Sequence, residues 1–196
     1  MTDSISGQAT VDRRPGKRER LVAAAVELLH RQGVERTTLA DIAAAADVPA
    51  GNVYYYFRTK DDIVAAVIEA QAQQIKTTLA EIDARHSAPK SRLKAMVREF
   101  AARSELVAKY GCPFGTLCSE LDKRGAESGF AVAELMRLPI DWAEEQFQSL
   151  GRRDAHDLAL DLLAAYEGSA LLANTLRDPS VLSRSARRVD RWIDGL

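Results

Sequence analysis

Residues 37–60 read TTLADIAAAADVPAGNVYYYFRTK. Thr38 and Asp41 make a Thr-x-x-Asp helix start, and Leu39, Ile42, Ala43 and Ala46 follow as one apolar stripe. The pattern predicts a helix over 38–45. Asp47 then stands at a corner where the backbone turns left-handed, a conformation Asp reaches more readily than most residues. A second, shorter helix starts near Pro49 and ends by Phe57. Successive helical residues advance by about 100°, so Tyr54, Tyr55 and Tyr56 cannot share one core face. At least one phenol is left for a phosphate or a base edge. Ile42, Val48, Val53 and Phe57 have a simpler reading, as the core of a small helical unit.

A helix, a tight turn and a second helix ending in aromatics and cations suit entry into the major groove of DNA. Gly51 allows the backbone of the second helix to approach another surface closely. Thr38, at a helix start, offers its hydroxyl and neighbouring N–H groups to a phosphate. Lys60 opens the next helix, where a cation opposes the helix dipole, so a phosphate partner explains it better than helix stability does. Arg14, Lys17 and Arg18 are expected to lie along the DNA backbone as a basic arm.

Outward from this stretch the pattern is helical almost throughout. Leu21, Ala25, Leu28 and Leu29 predict a helix over 16–32, stopped by Gly33. Further helices are predicted over 60–85, 89–109, 114–122, 130–149, 154–177 and 180–194. Ser87-Ala88-Pro89, Gly111-Cys112-Pro113, Gly151 and Asp178-Pro179 mark boundaries. Pro139 is expected to kink or split the helix that contains it. Strand and hairpin signals are absent. The fold class expected is all-α, with about nine helices. Residues 1–12 are read as a disordered tail, 13–58 as a three-helix unit and 59–196 as a second helical domain.

The 196 residues are 46% apolar, enough for one large or two small packed domains. Net charge is −1, but residues 13–60 hold nine Lys/Arg against five Asp/Glu while 61–196 hold 18 against 21. A basic first quarter on an acidic body suits an anionic partner near the N-terminus. The polar first ten residues do not resemble a signal peptide, and no apolar run is long enough for a membrane span. Two cysteines, Cys112 and Cys118, are too few for a disulfide framework, so the cytoplasm is expected.

From Arg18 to Ile68 the chain resembles the DNA-binding domain of the tetracycline-repressor (TetR) family, through TTLADIAAAADV, then PAGNVYYYF, then RTKDDI. The resemblance covers about a quarter of the chain. It implies that Pro49, Ala50, Gly51, Asn52, Tyr54 and Tyr55 face the major groove and that Thr38, Tyr56 and Lys60 hold phosphates. Two positions depart from the family pattern: Asp47 replaces a common Gly and Pro49 a common Ser. Ala50 is small where many members carry a longer side chain. Base readout then falls to Asn52 and Tyr54, with the remainder from DNA shape.

A two-fold operator needs a two-fold protein. Leu158, Leu162, Ala165, Ser169, Leu172 and Leu176 are spaced like a coiled-coil seam. The opposite side of that helix is apolar too, so one side would face its own body and the other a partner chain. Leu182, Val189 and Trp192 extend the surface, and the resemblance implies a four-helix dimer bundle. Phe100, Cys112, Phe114, Met136, Trp142 and Tyr166 are candidates for a ligand pocket beside Pro139. GCPFGTLCSEL also resembles a segment in a subset of the family, where a Cys sometimes senses electrophiles or oxidants. Cys112 precedes a helix start, where the dipole would stabilise a thiolate; the plainer reading is a small buried hydrophobe.

The function expected is a dimeric transcriptional regulator, a repressor, that binds a palindromic operator and is released by a small lipophilic effector. Two alternatives are a thiol sensor of the same fold using Cys112 and a DNA-binding protein without an effector. No nucleophile elbow, HExxH, Walker loop or paired-carboxylate motif is present, so an enzyme is not expected. His30, His86 and His156 lack metal-ligand spacing and are read as surface residues. No metal or cofactor is expected.

Overall fold

The computed structural model describes residues 15–123 and 126–196. Ten α-helices and no strand occur among the described residues: α1 Lys17–Gln32, α2 Leu39–Ala45, α3 Ala50–Tyr56, α4 Lys60–Arg85, α5 Pro89–Ala102, α6 Ser104–Tyr110, α7 Pro113–Asp122, α8 Ala126–Ser149, α9 Ala155–Leu176 and α10 Ser180–Asp194. The all-α expectation holds. The span read as one helix over 89–109 is two helices, because the backbone leaves helical geometry at Arg103 (φ −95°, ψ 19°). Pro139 does not split α8, which runs unbroken across it. The predicted tail at 1–12 lies outside the described residues.

Short-range chemistry sets most of the boundaries. Glu19 accepts the Gly16 N–H at 2.8 Å and starts α1; Gly33, at φ 84°, stops it. Thr38 with Asp41, and Thr59 with Asp62, form reciprocal caps at the starts of α2 and α4. Pro113 opens α7 one residue after Cys112, and Gly111 (φ 88°) closes α6. A side chain on Gly111 would meet Thr116 Cγ2 at 2.7 Å, so both conformation and space require glycine there.

α1–α3 form the first unit around Leu21, Ile42, Val53 and Phe57. Its apolar core is continuous with Ile63 and Val67 of α4 and with the body beyond. With 26 residues, α4 is about 39 Å long. It packs on α1 at one end and on α8 further along, and so belongs to both parts. α5 packs on α10, and α9 packs on α6, α8 and α10. No helix among the described residues is long and apolar enough to cross a membrane.

Candidate nucleic-acid interface and the cavity behind it

The turn between α2 and α3 is made by Asp47 at φ 51°, as its sequence position predicts. The Val48 N–H donates back to the Ala43 carbonyl at 3.0 Å, closing α2 before the chain reverses. Val53 and Phe57 are buried and fix which face of α3 turns inward. Pro49, Ala50 and Gly51 are exposed, and Asn52 is half-buried. Tyr54 is 61% exposed and Tyr55 84%. Tyr56 is half-buried, its ring meeting that of Tyr55 edge-on at 5.0 Å. A side chain at Gly51 would meet nothing within 4 Å, so internal packing does not require glycine there.

Three flanking residues are more engaged than the sequence suggests. The Thr38 hydroxyl donates to Asp41 at 2.6 Å and accepts the Asp41 N–H at 3.1 Å, while the Thr38 N–H donates to the same carboxylate at 2.9 Å. Those bonds hold the Asp41 carboxyl below its ordinary range, and they occupy the hydroxyl expected on a phosphate. Lys60 Nζ donates to the Glu35 carbonyl at 3.1 Å, which ties α4 to the α1–α2 loop and explains a cation at this helix start without DNA. The Arg18 guanidinium lies over the Phe57 ring, 5.5 Å from its centroid. Lys17 is exposed, and Arg14 lies outside the described residues.

Behind this unit, α4–α7 and α9 line an open pocket of about 640 Å3, a volume that includes space continuous with solvent. Phe100, Phe114 and Tyr166, three of the six residues expected at a pocket, line it. Ile75, Leu79 and Met96 add apolar wall, and Gln74, Thr78, Glu99 and Arg103 stand at polar positions. Sequence reasoning missed these because no local pattern says which turns of α4 and α5 face each other. Phe100 and Tyr166 stack with centroids 4.6 Å apart and also line a smaller space of about 370 Å3 against α10.

The other three pocket expectations need correction. Trp142 is buried, and its indole N–H donates to Asp83 on α4 at 3.0 Å. Arg92 joins the same cluster, donating to the His86 carbonyl at 2.8 Å and to Gln146 at 3.3 Å. Trp142 is thus part of a clamp between α4, α5 and α8. Met136 is half-buried on α8 and lines neither cavity. Cys112 sits behind the wall, buried, with its thiol donating to Glu167 at 3.1 Å. Burial, then the Glu167 charge, push the Cys112 thiol up to about 12, against the weaker pull of the Gly115 N–H at 3.4 Å. The expected thiolate at the start of α7 is therefore not stabilised; the dipole is outweighed. Burial and Glu167 likewise push Cys118 up, to about 11.

His30 is not a free surface residue. Its Nε2–H donates to the Gly111 carbonyl at 2.9 Å, and its ring meets Tyr110 edge-on, so α1 is joined to the α6–α7 corner. The Val34 N–H adds a second tie, donating to Glu120 on α7 at 2.6 Å. His86 is half-buried at the end of α4, and exposed His156 bonds Glu144 at 2.8 Å.

On α9, the seam expected to face a partner is partly turned inward. Leu158, Leu162 and Ser169 are buried within the chain, as is Leu182 on α10. Ala165, Val189 and Trp192 are half-buried along the groove between the two helices. The apolar surface left open is Leu160, Leu171, Leu172 and Leu176, of which Leu171 is 67% and Leu176 62% exposed. Leu172 and Leu176 belong to the predicted seam; Leu160 and Leu171 lie outside it. The helix is apolar on both sides, so its sequence alone does not say which side the body takes.

Residues 21–67 match the family model described as bacterial regulatory proteins, tetR family. The chain is 28% identical over 181 residues to an uncharacterised HTH-type transcriptional regulator in the lacX 3' region of Lactococcus lactis subsp. lactis, covering 84% of this chain and 87% of that protein. It is 27% identical over 164 residues to the HTH-type transcriptional repressor DhaR of Mycobacterium sp. (strain GP1), covering 79% and 80%. In fold it is similar to a TetR transcriptional regulator from Legionella pneumophila, with a TM-score of 0.82, 22% identity and coverage of 91% and 98%. These relatives are transcriptional regulators rather than enzymes.

Proposed function

Because the chain belongs to the tetR family of bacterial regulatory proteins, we propose that it is a dimeric repressor released from a palindromic operator by a small lipophilic effector. The observation that carries this reading is the outward face of α3, where Tyr54 and Tyr55 stand exposed on a helix anchored from behind by Val53 and Phe57. Asn52 and Tyr54 would read bases, Tyr55 and Tyr56 would contact the strand, and Pro49, Ala50 and Gly51 would let the backbone come close. Lys17 and Arg14 would add phosphate contacts, as would Thr38 and Lys60 if DNA displaces their present partners. Residues 13–58 would act as the DNA-binding domain and 59–196 as the domain for effector and dimer.

The open face of α9, with α10 beside it, supports a two-fold pairing through Leu171, Leu172 and Leu176, with Val189 and Trp192 at its edge. The cavity supports an effector site. α4 forms one of its walls through Gln74, Ile75, Thr78 and Leu79, is clamped at Asp83 by Trp142, and packs on α1 at its other end. A ligand pressing on the middle of a helix held at its far end would displace the end that bears the DNA-binding unit. Operator affinity would fall by no more than the ligand's preference for the displaced state. Burial of Cys112 disfavours the thiol-sensing alternative.

Selection of bound DNA from a random pool tests the reading. A palindrome with half-sites about one helical turn apart, roughly 34–36 Å, is expected. Tyr54→Ala should weaken binding to that site at least tenfold with unchanged helix content. Unchanged affinity would remove α3 from the groove.

A further inference from the structure

We infer that the open pocket takes a ligand with an unbranched alkyl chain, whose end passes between Phe100 and Tyr166 into the smaller space against α10. This rests on the pocket being the effector site.

Two spaces meet at one partition. Met96, Phe100 and Tyr166 border both the open pocket and the smaller space, which α5, α9 and α10 line. The two differ in chemistry. Glu99 and Arg103 stand on the wall of the pocket, one charge of each sign, so charge there does not choose between an acid and a base. No charged side chain lines the smaller space among the described residues, and Leu162, Leu163, Leu182 and Val189 make up much of its wall. Ser169, on the same wall, donates its hydroxyl to the Ala165 carbonyl of its own helix at 2.6 Å. A body that enters this space gains by being apolar, because a polar group would leave water for few partners.

The partition sets the shape of what can pass. The Phe100 and Tyr166 rings lie 4.6 Å apart at 38°, and both residues are half-buried. Met96 beside them is unbranched and adapts readily to a new neighbour. Turning one ring to another rotamer frees a slot one carbon layer thick, about 3.5–4.0 Å. An extended alkyl chain has that thickness, whereas a branched or cage-like body is thicker. A wider opening would part α5 from α10. Those helices pack on each other and are joined by Arg98, which donates to Asp190 at 3.3 Å, and by Lys94 with Asp194. A slender chain enters without disturbing them.

The test uses purified full-length protein and uncharged probes: the straight-chain primary alcohols from 1-hexanol to 1-dodecanol, with 1-adamantanemethanol as a bulky comparator. Titration calorimetry should show affinity rising about fourfold per methylene along the series. Ala186→Leu on α10 and Ala101→Leu on α5 each fill part of the smaller space and lie off the wall of the open pocket. Either should weaken 1-dodecanol about tenfold or more while 1-hexanol and 1-adamantanemethanol keep their native affinity, a pattern that loss of folding would not give. Leu163→Ala enlarges the same space and should raise the preference for 1-dodecanol over 1-hexanol. A preference unchanged in all three variants overturns the inference, as does 1-adamantanemethanol losing affinity in step with 1-dodecanol. Failure of every alcohol to bind at its solubility limit overturns it too. Binding to the selected operator, measured with and without 1-dodecanol, separates the two readings. A chain that binds in this pattern without releasing operator removes the effector role and leaves the chain site standing.

Discussion

At the residue scale, Gly51 and Cys112 show how a side chain's setting changes what its type suggests. Nothing inside the chain approaches Gly51 within 4 Å, so the fold would accept a methyl group there. Gly51→Ala should leave the protein as stable or up to about 1 kcal/mol more so, since alanine loses less backbone freedom in a helix. It should nevertheless weaken operator binding in a mobility-shift titration, because the methyl would meet the DNA that α3 is proposed to approach. Equal affinity would mean the backbone at 51 stays clear of DNA. Cys112 is the reverse case: its sequence position at a helix start suggests reactivity, and its neighbours remove it. With burial and the Glu167 charge pushing its thiol up to about 12, Cys112 holds far less thiolate at neutral pH than an exposed cysteine does. Iodoacetamide should label Cys112 far more slowly in the native protein than in urea, by mass spectrometry of the peptide. Labelling at the unfolded rate would return the thiol-sensing alternative to consideration.

At the element scale, the helix limits were legible because they depend on residues within about four positions of each other. The caps at Thr38 and Thr59, the stops at Gly33 and Gly111 and the turn at Asp47 are all of this kind. The break at Arg103 was not legible, since no Gly, Pro or cap residue announces it. The clamp on α4 was hidden as well: Trp142 and Asp83 are 59 residues apart, and only packing of α8 on α4 brings them together. Trp142→Phe removes the donor and leaves a part-buried carboxylate short of one bond. It should cost about 1–3 kcal/mol in urea unfolding at fixed protein concentration. If the clamp holds the far end of α4 as proposed, the variant should bind operator normally yet respond less to effector. A variant of full stability would show that the indole N–H has little energetic weight.

At the scale of the whole molecule, the open apolar face of α9 is the decisive feature. Leu171 is 67% and Leu172 53% exposed, so replacing both with Glu removes little from the core of a single chain. The double variant should remain helical, sediment as a monomer and lose most operator affinity, because a single recognition helix binds weakly. A dimer that persists would place the pairing surface elsewhere. Operator binding should also weaken steeply with salt, as expected for a basic unit neutralising phosphates. The acidic balance of residues 61–196 keeps the chain near neutral overall, so that attraction belongs to the first unit alone.

The sequence by itself determined the all-α class, nearly every helix limit and the DNA-binding character of residues 37–60. Each is written in the order of neighbouring residues, through periodicity, caps and backbone freedom. Only the tertiary structure decided which side of α9 stays open, that Trp142 clamps a helix and does not line the cavity, that His30 ties α1 to the body, and that Cys112 is quiet. Those outcomes turn on partners tens of residues away. Which of two apolar faces is buried, or which carboxylate meets a thiol, is fixed by how the helices pack, and local sequence does not carry that information.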